Sequence, residues 1–222
     1  MPGPILAVER LSKGFKSGGQ LVPVLRSLSL GVRPGESLAV VGRSGSGKST
    51  LLNLLCGLQT PDDGIITVAG ESFHRSGNTS FEARWAELRR RSIGVVFQEA
   101  NLMPALSLMD NVRLRAHLAG HLSGNERGWL ERLGVGAEAD RYPDQVSGGQ
   151  AQRAALAMVF AMSPALILAD EPTGSLDRHT ADAVADCLFA MQRETACALV
   201  LATHDTELAS RCDHMLDLSG AG

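Results

Sequence analysis

The segment "GRSGSGKST" at residues 42–50 has the residue types and spacing of a phosphate-binding loop. It matches the pattern GxxxxGK[ST], with Gly42, Gly47, Lys48 and Ser49 in the required places. Glycines let backbone N–H groups close around phosphates, a lysine reaches the β- and γ-phosphates, and a serine hydroxyl can ligate Mg2+. The expected phosphate-binding set also includes Arg43, Ser44, Gly45, Ser46 and Thr50. The loop therefore predicts a nucleoside triphosphate site.

Two acidic residues, Asp170 and Glu171, end the apolar segment "LILADE". Enzymes with parallel sheets place ligands beyond the carboxyl ends of their strands. We expect Asp170 to hold Mg2+ and Glu171 to orient and polarise the attacking water. The alternative is a solvated turn or a helix cap. The phosphate-binding loop elsewhere in the chain favours the magnesium site.

Gln98 and His204 each follow an apolar segment, "IGVVF" and "LVLAT" respectively. We expect both segments to be parallel strands next to each other, so that both side chains point to the edge that holds the phosphate loop. An amide suits a contact with water or Mg2+, and an imidazole can bond a γ-phosphate. The candidate catalytic set is therefore Glu171, His204, Gln98 and Lys48, and the candidate metal ligands are Ser49, Gln98 and Asp170.

A second glycine-containing segment, "VSGGQAQRAALA" at 146–157, has paired glycines after a serine and then an apolar run. This pattern is typical of a helix that begins at an anion. It makes Ser147, Gly148, Gly149 and Gln150 candidates for nucleotide binding. Since residues 42–50 already form a phosphate cradle, the sequence raises the question of what a second cradle would bind.

The elements that position these residues alternate along the chain. The phosphate loop lies between a predicted strand and a predicted helix, which disfavours the alternative of a glycine-rich turn that binds nothing. Continuous apolar strands between helices predict a mainly parallel α/β sheet covered on both faces. The predicted strands of this sheet are 37–42, 93–97, 165–170, 197–203 and 214–218. We expect a small antiparallel subdomain from residues 1–40 and 60–75 and an inserted helical subdomain from residues 100–160. We also expect a loose segment at residues 74–80.

Composition narrows the function classes. A net charge of −3 and 4% aromatic content favour no nucleic-acid partner, because neither a basic field nor stacking platforms are indicated. The first fifteen residues have no export-signal pattern, so we expect a cytoplasmic protein. His117 and His121 could share a metal, but no carboxylate is near and Gly120 interrupts the predicted helix. The basic helix at 83–92 could meet anionic lipid or a partner, but a solvated face with Trp85 and Leu88 inward is favoured.

Taken in order, "GRSGSGKST", Gln98, "VSGGQ", "LILADEP", "SLD" at 175–177 and His204 resemble the ATP-binding subunit of an ABC transporter over almost the whole chain. The resemblance implies a single P-loop NTPase (RecA-like) domain over 1–222 that hydrolyses ATP with Mg2+. It implies that Phe15 stacks on adenine and that Ser175–Asp177 contact a partner. It also implies that Ser147–Gln150 serve the nucleotide of a second copy, in a head-to-tail dimer that drives a separate transmembrane permease on the inner face of the membrane.

Within that family, the segments around the motifs are most similar to the branch that includes lipoprotein-releasing and macrolide-exporting ATPases. Val146, Ala151 and Met158 depart from the usual signature pattern, and Met158 removes a positive charge. Two other functions stay open. One is a soluble ATPase in DNA repair or translation, which usually carries a coiled-coil insertion or two fused cassettes. The other is a regulatory subunit without turnover, against which Glu171 and His204 argue.

Overall fold

The computed structural model describes residues 3–74, 79–121 and 124–219. Its first sheet is antiparallel, with strand order β2-β1-β4-β5, and its second is parallel, with order β6-β7-β8-β3-β9. The strands are β1 (Leu6–Ser17), β2 (Gln20–Val32), β3 (Ser37–Val41), β4 (Asp63–Val68), β5 (Glu71–His74), β6 (Ile93–Val96), β7 (Leu166–Asp170), β8 (Ala198–Ala202) and β9 (His214–Asp217). The predicted combination of a parallel core sheet and a small antiparallel sheet is confirmed.

Among the described residues, one helix lies between β5 and β6 and three lie between β6 and β7. The helices in chain order are α1 (Lys48–Leu55), α2 (Thr79–Arg91), α3 (Leu108–Ala119), α4 (Glu126–Arg132), α5 (Gly148–Phe160), α6 (Arg178–Thr195) and α7 (Thr206–Ala209). Short 3-10 turns at Gly136–Glu138 and Pro143–Gln145 connect α4 to α5. The predicted helical region after β6 is therefore present as α3, α4 and α5.

Alternate residues of the parallel strands face two separate cores. Ile167 and Ala169 pack with α5 and α6, whereas Leu166 and Leu168 pack with α1 and the antiparallel sheet. All four side chains are fully buried. A strand covered on both faces has no polar positions, which explains why β7 and β8 appear in the sequence as unbroken apolar runs.

Local signals set the ends of the helices. Ser107 and Asp177 cap α3 and α6 by accepting hydrogen bonds from the backbone of their first turns. Gly120 ends α3 in a left-handed conformation, so the expectation that it lies inside a helix is wrong, and His121 lies beyond the helix end. In α2, Trp85 and Leu88 are buried, as expected for a helix with one solvated face.

One further expectation falls mostly outside the described residues, and another is wrong. Residues 75–78 of the predicted loose segment at 74–80 lie outside the described residues. Of the described ones, His74 ends β5 and Thr79 begins α2. The expectation that the strands before Gln98 and His204 are neighbours is wrong, because β7 lies between β6 and β8. In the part of the chain that the structure describes, no helix is long and apolar enough to cross a bilayer.

Candidate active site

A cavity of about 660 Å3 lies at the carboxyl edge of the parallel sheet. It collects side chains that are far apart in the sequence: they come from β1 and β2, from the loop between β3 and α1 and the start of α1, and from the ends of β6, β7 and β8. Its lining consists of Phe15, Val24, Ser44, Gly45, Gly47, Lys48, Ser49, Thr50, Gln98, Asp170, Glu171 and His204. All of these except Val24 are residues that the sequence singles out. Val24 was missed because an apolar residue in an edge strand carries no chemical signal.

The loop between β3 and α1 has the conformation that a phosphate cradle requires. Gly47 precedes α1 with φ of 100°, a left-handed conformation, and a Cβ atom there would lie 2.7 Å from Val24 Cγ1. A side chain at this position would be both strained and obstructed. The loop can therefore approach its neighbours closely only with glycine at position 47.

Lys48 is buried and bonded back onto its own loop. Its Nζ atom donates to the carbonyl oxygens of Gly42 at 2.8 Å and Arg43 at 3.4 Å, and it lies 3.8 Å from Glu171 Oε1. A cation that is nine-tenths buried is stabilised by such contacts. The ammonium group is thus held at the mouth of the loop, beside the acidic end of β7.

One polar group in this loop has no partner among the described residues. The Oγ atom of Ser46 is buried and makes no hydrogen bond, and α1 has no side-chain cap. A buried hydroxyl without a partner is costly, and a helix start leaves N–H groups to be satisfied. Both features fit a loop that an anion completes, which is the chemistry of a triphosphate.

Asp170 and Glu171 stand at the end of β7 with different environments. Asp170 is hydrogen-bonded to Ser49, and burial raises the pKa of its carboxyl group above the usual range, opposed by that bond. An aspartate, a serine hydroxyl and the nearby amide of Gln98 form an oxygen donor set of the kind that Mg2+ prefers. The residues present therefore fit the metal that the sequence predicts.

Glu171 is bound through both carboxylate oxygens. Its Oε1 atom lies 2.9 Å from Nδ1 of His204, and its Oε2 atom accepts a 3.2 Å hydrogen bond from the hydroxyl of Thr203. The side chain is 17% exposed, so it can reach a water molecule in the cavity. Sequence reasoning missed Thr203, because a threonine after an apolar strand matches no catalytic or binding pattern.

The loop at 146–150 lies elsewhere. None of its residues is among those lining this cavity, and Ser147 and Gly148 are exposed. Ser147 caps α5, its Oγ atom accepting from the N–H of Gln150 while Gln150 Oε1 accepts from the N–H of Ser147. Within one chain the two glycine-containing loops therefore do not share a site.

This second loop packs against the segment that follows Glu171. A Cβ atom at Gly149 would lie 2.1 Å from Thr180 Cγ2, and one at Gly148 would lie 3.4 Å from Leu176. The hydroxyl of Ser175 donates to the carbonyl oxygen of Gln98 at 3.0 Å. The 146–150 loop thus lies against the 175–177 loop, which in turn is bonded to the strand end at Gln98.

Two other residues that the sequence singles out, Phe15 and Met158, lie at different cavities. The Phe15 ring is 39% exposed at the mouth of the cavity, with Lys13 Nζ 5.6 Å from its centroid. Met158 lines a different cavity of about 190 Å3, which Arg89 and Arg115 also line. Positive charge therefore lies near position 158 although the methionine carries none.

Comparison with known proteins agrees with this geometry. The family model described as ABC transporter matches residues 25–174. The chain is 44% identical to the uncharacterized ABC transporter ATP-binding protein YbbA of Escherichia coli (strain K12), with 96% of this chain and 94% of that protein covered. It is 42% identical to the lipoprotein-releasing system ATP-binding protein LolD of Bordetella pertussis, with 97% and 94% covered.

A solved structure is similar over the same extent. The ATP-binding cassette MJ0796, as a dimer in a post-hydrolysis state bound to ADP and Pi, matches with a TM-score of 0.83 and 32% identity. The match covers 96% of this chain and 94% of that one. The fold of this chain therefore occurs in a nucleotide-binding cassette of similar length.

Proposed function

This chain belongs to the ABC transporter family as an ATP-hydrolysing, ATP-binding subunit, and from that premise we propose which residues carry the reaction. Lys48 and the loop at 42–50 bind the phosphates of ATP, and Phe15 stacks on the adenine. Glu171 polarises the attacking water. The observation that carries this assignment is the single cavity in which Phe15, Lys48, Glu171 and His204 meet.

Ser49, Gln98 and Asp170 would hold Mg2+. When bound, the ion neutralises charge on the β- and γ-phosphates. The protein's own groups do the rest: Lys48 binds phosphate oxygens, and the imidazole of His204 bonds the γ-phosphate. Since Oε1 of Glu171 contacts His204 in this structure, that oxygen becomes available to water when the histidine turns to the phosphate.

A second copy of the chain is the proposed partner at the site. The loop Ser147–Gln150, with Ser147 and Gly148 exposed, would cover the γ-phosphate bound by the other copy in a head-to-tail dimer, and Ser175–Asp177 would contact that copy. A dimer of a similar cassette bound to ADP and Pi supports this arrangement. Closure and opening of the dimer would act on a separate transmembrane permease, at whose cytoplasmic side the chain is peripherally bound.

The proposed work is release or export of a hydrophobic substrate such as a lipoprotein. The similarity to the lipoprotein-releasing system ATP-binding protein of Bordetella supports this choice. The single ATP-binding domain over 1–222 shows no helix that could cross a bilayer in its described part. In this proposal the separate transmembrane permease supplies the path for the substrate.

The assignment of Glu171 is tested by Glu171→Gln, which keeps size and hydrogen bonding but removes the charge. ATP hydrolysis should fall by about 10² to 10⁴, measured as phosphate release, while ATP affinity measured by calorimetry is retained. The matched control is Glu9→Gln, the same chemical change at an exposed position of β1, which should hydrolyse ATP normally. A Glu171→Gln variant as fast as this control would contradict the assignment.

A further inference from the structure

We propose that Thr203 is a positioning residue for ATP hydrolysis, its buried hydroxyl holding one carboxylate oxygen of Glu171 so that the other faces the attacking water. The inference rests on the proposed role of Glu171. It is carried by the contacts between the end of β7 and the end of β8, which lie side by side in the parallel sheet. No residue-type pattern in the sequence points to Thr203.

The backbone of Glu171 is fixed to β8 before its side chain is considered. Glu171 has φ of 47°, in the left-handed region that residues with a side chain rarely adopt. Its N–H donates to the carbonyl oxygen of Ala202 at 2.9 Å. A strained conformation persists only where the surroundings determine it, so the end of β8 sets the direction in which the Glu171 side chain leaves the sheet.

Thr203, the residue that directly follows β8, then fixes the carboxylate. Its N–H donates to the carbonyl oxygen of Val40 at 3.1 Å, and the residue is only 1% exposed. Its hydroxyl donates to Glu171 Oε2 at 3.2 Å and accepts from the N–H of Asp205 at 3.1 Å. Since a β-branched side chain is stiff and the hydroxyl is engaged in both directions, its proton is aimed at Oε2.

The two oxygens of Glu171 are held by groups of very different freedom. Oε2 accepts from the buried hydroxyl of Thr203 and, at 3.4 Å, from the backbone N–H of His204. Oε1 contacts the imidazole of His204, whose side chain is 70% exposed, and lies 3.8 Å from Lys48 Nζ. An exposed imidazole can turn toward a phosphate, but a buried hydroxyl between two strands cannot leave. Thr203 therefore keeps the carboxylate oriented at the stage when His204 releases Oε1.

A comparable hydroxyl at the opposite edge of the sheet provides a matched control. Ser37 begins β3, is 3% exposed, donates to Asp213 Oδ2 at 2.7 Å and accepts from the N–H of Asp213 at 3.0 Å. It thus makes the same two kinds of bond as Thr203. Ser37 lies at the amino edge of the sheet, away from the cavity. Its removal therefore shows what the loss of a buried hydrogen bond does to hydrolysis when the orientation of Glu171 is unchanged.

The test compares steady-state ATP hydrolysis by the purified full chain in four forms: wild type, Thr203→Val, Thr203→Ser and Ser37→Ala. Thr203→Val should lower kcat by about 10- to 100-fold, with KM for ATP changed by less than about two-fold because ground-state binding is untouched. Thr203→Ser retains the donor and should recover most of kcat. Ser37→Ala should keep the wild-type kcat.

A double variant shows whether Thr203 acts through Glu171. When Thr203→Val is added to Glu171→Gln, the residual rate, measured with radiolabelled ATP, should fall by much less than when it is added to wild type, since groups that act as a unit are not additive. A full additional loss would overturn the inference. If Thr203→Val does not fold, Thr203→Ala removes the same hydroxyl and must show the same loss of kcat.

The outcomes separate this inference from the proposed function. Wild-type kcat in Thr203→Val, no recovery in Thr203→Ser, or an equal loss in Ser37→Ala would each overturn the role of Thr203 while Glu171→Gln still fails to hydrolyse ATP. Wild-type turnover by Glu171→Gln would instead overturn the assignment of Glu171 itself. Both proposals stand if Glu171→Gln and Thr203→Val are slow while Thr203→Ser and Ser37→Ala are not.

Discussion

Two loops of this molecule have serine and glycine before a helix, yet they begin their helices in opposite ways. Before α1, Gly47 is left-handed, no side chain caps the helix, and Ser46 Oγ is buried with no partner among the described residues. Before α5, Ser147 and Gln150 form a complete capping box on an exposed surface. The first loop leaves polar groups that an anion would satisfy, whereas the second is satisfied by its own side chains.

This difference suggests an order of events. A loop with an unsatisfied interior gains stability from the ligand that satisfies it, so it would bind ATP first and within one chain. A loop that is already capped presents a preformed surface, which would meet a nucleotide that another copy has bound. Four predictions test this contrast between the loop at 42–50 and the loop at 146–150.

The largest effect is expected from Lys48→Ala. The ammonium group is the buried cation of the first loop, so its loss should weaken ATP binding as well as lower hydrolysis by about 100-fold or more. Calorimetry and phosphate release measure the two quantities. Arg193→Ala, which removes an exposed cation in the last turn of α6, is the control. Unchanged ATP affinity in Lys48→Ala would break the assignment of the first loop.

A second large effect is expected from Ser147→Arg placed in the Glu171→Gln background. The single variant Glu171→Gln should accumulate as an ATP-bound dimer, because closure is allowed and hydrolysis is not. A bulky cation on the exposed second loop should leave ATP binding intact but keep the protein monomeric. Light scattering with ATP and Mg2+ distinguishes the two, and equal dimerisation of both variants would place the second loop away from the shared site.

A smaller effect, with a built-in reversal, is expected at Gly149. Gly149→Ala places a Cβ atom 2.1 Å from Thr180 Cγ2, so α5 must move relative to α6, and ATP-dependent dimerisation of the Glu171→Gln form should weaken. Thr180→Ser removes that methyl group, and the next atom, Thr180 Cβ, is at an ordinary 3.6 Å. Dimerisation should then return. If Thr180→Ser brings no recovery, the contact does not set the loop position.

The smallest effects concern stability without nucleotide, measured by urea unfolding. Ser147→Ala removes a helix cap and should cost about 1 kcal/mol in the free energy of unfolding. Ser46→Ala removes a buried hydroxyl that has no partner among the described residues, so it should be neutral or slightly stabilising. Equal losses in both variants would mean that the two loops are satisfied to the same degree, against the contrast drawn here.

Much of the site could be predicted because its signals are local. The spacing of Gly42, Gly47 and Lys48, the acids after β7, and the polar residues Gln98 and His204 after apolar runs are all visible in the printed chain. The parallel sheet was predictable for a similar reason, since strands buried on both faces have no polar positions. The helix boundary at Gly120 was wrong because periodicity continued past the residue that ends α3.

The sequence by itself determined the phosphate-binding loop, the fold class and the order of the motifs, because each depends on neighbouring residues or on a short period. Only the tertiary structure decided that β7 lies between β6 and β8, that Thr203 bonds Glu171, and that Gly149 packs on Thr180. Strand order depends on how crossovers close over long separations, and buried contacts depend on which faces meet there. Neither the strand order nor these buried contacts produce a recognisable pattern in the sequence.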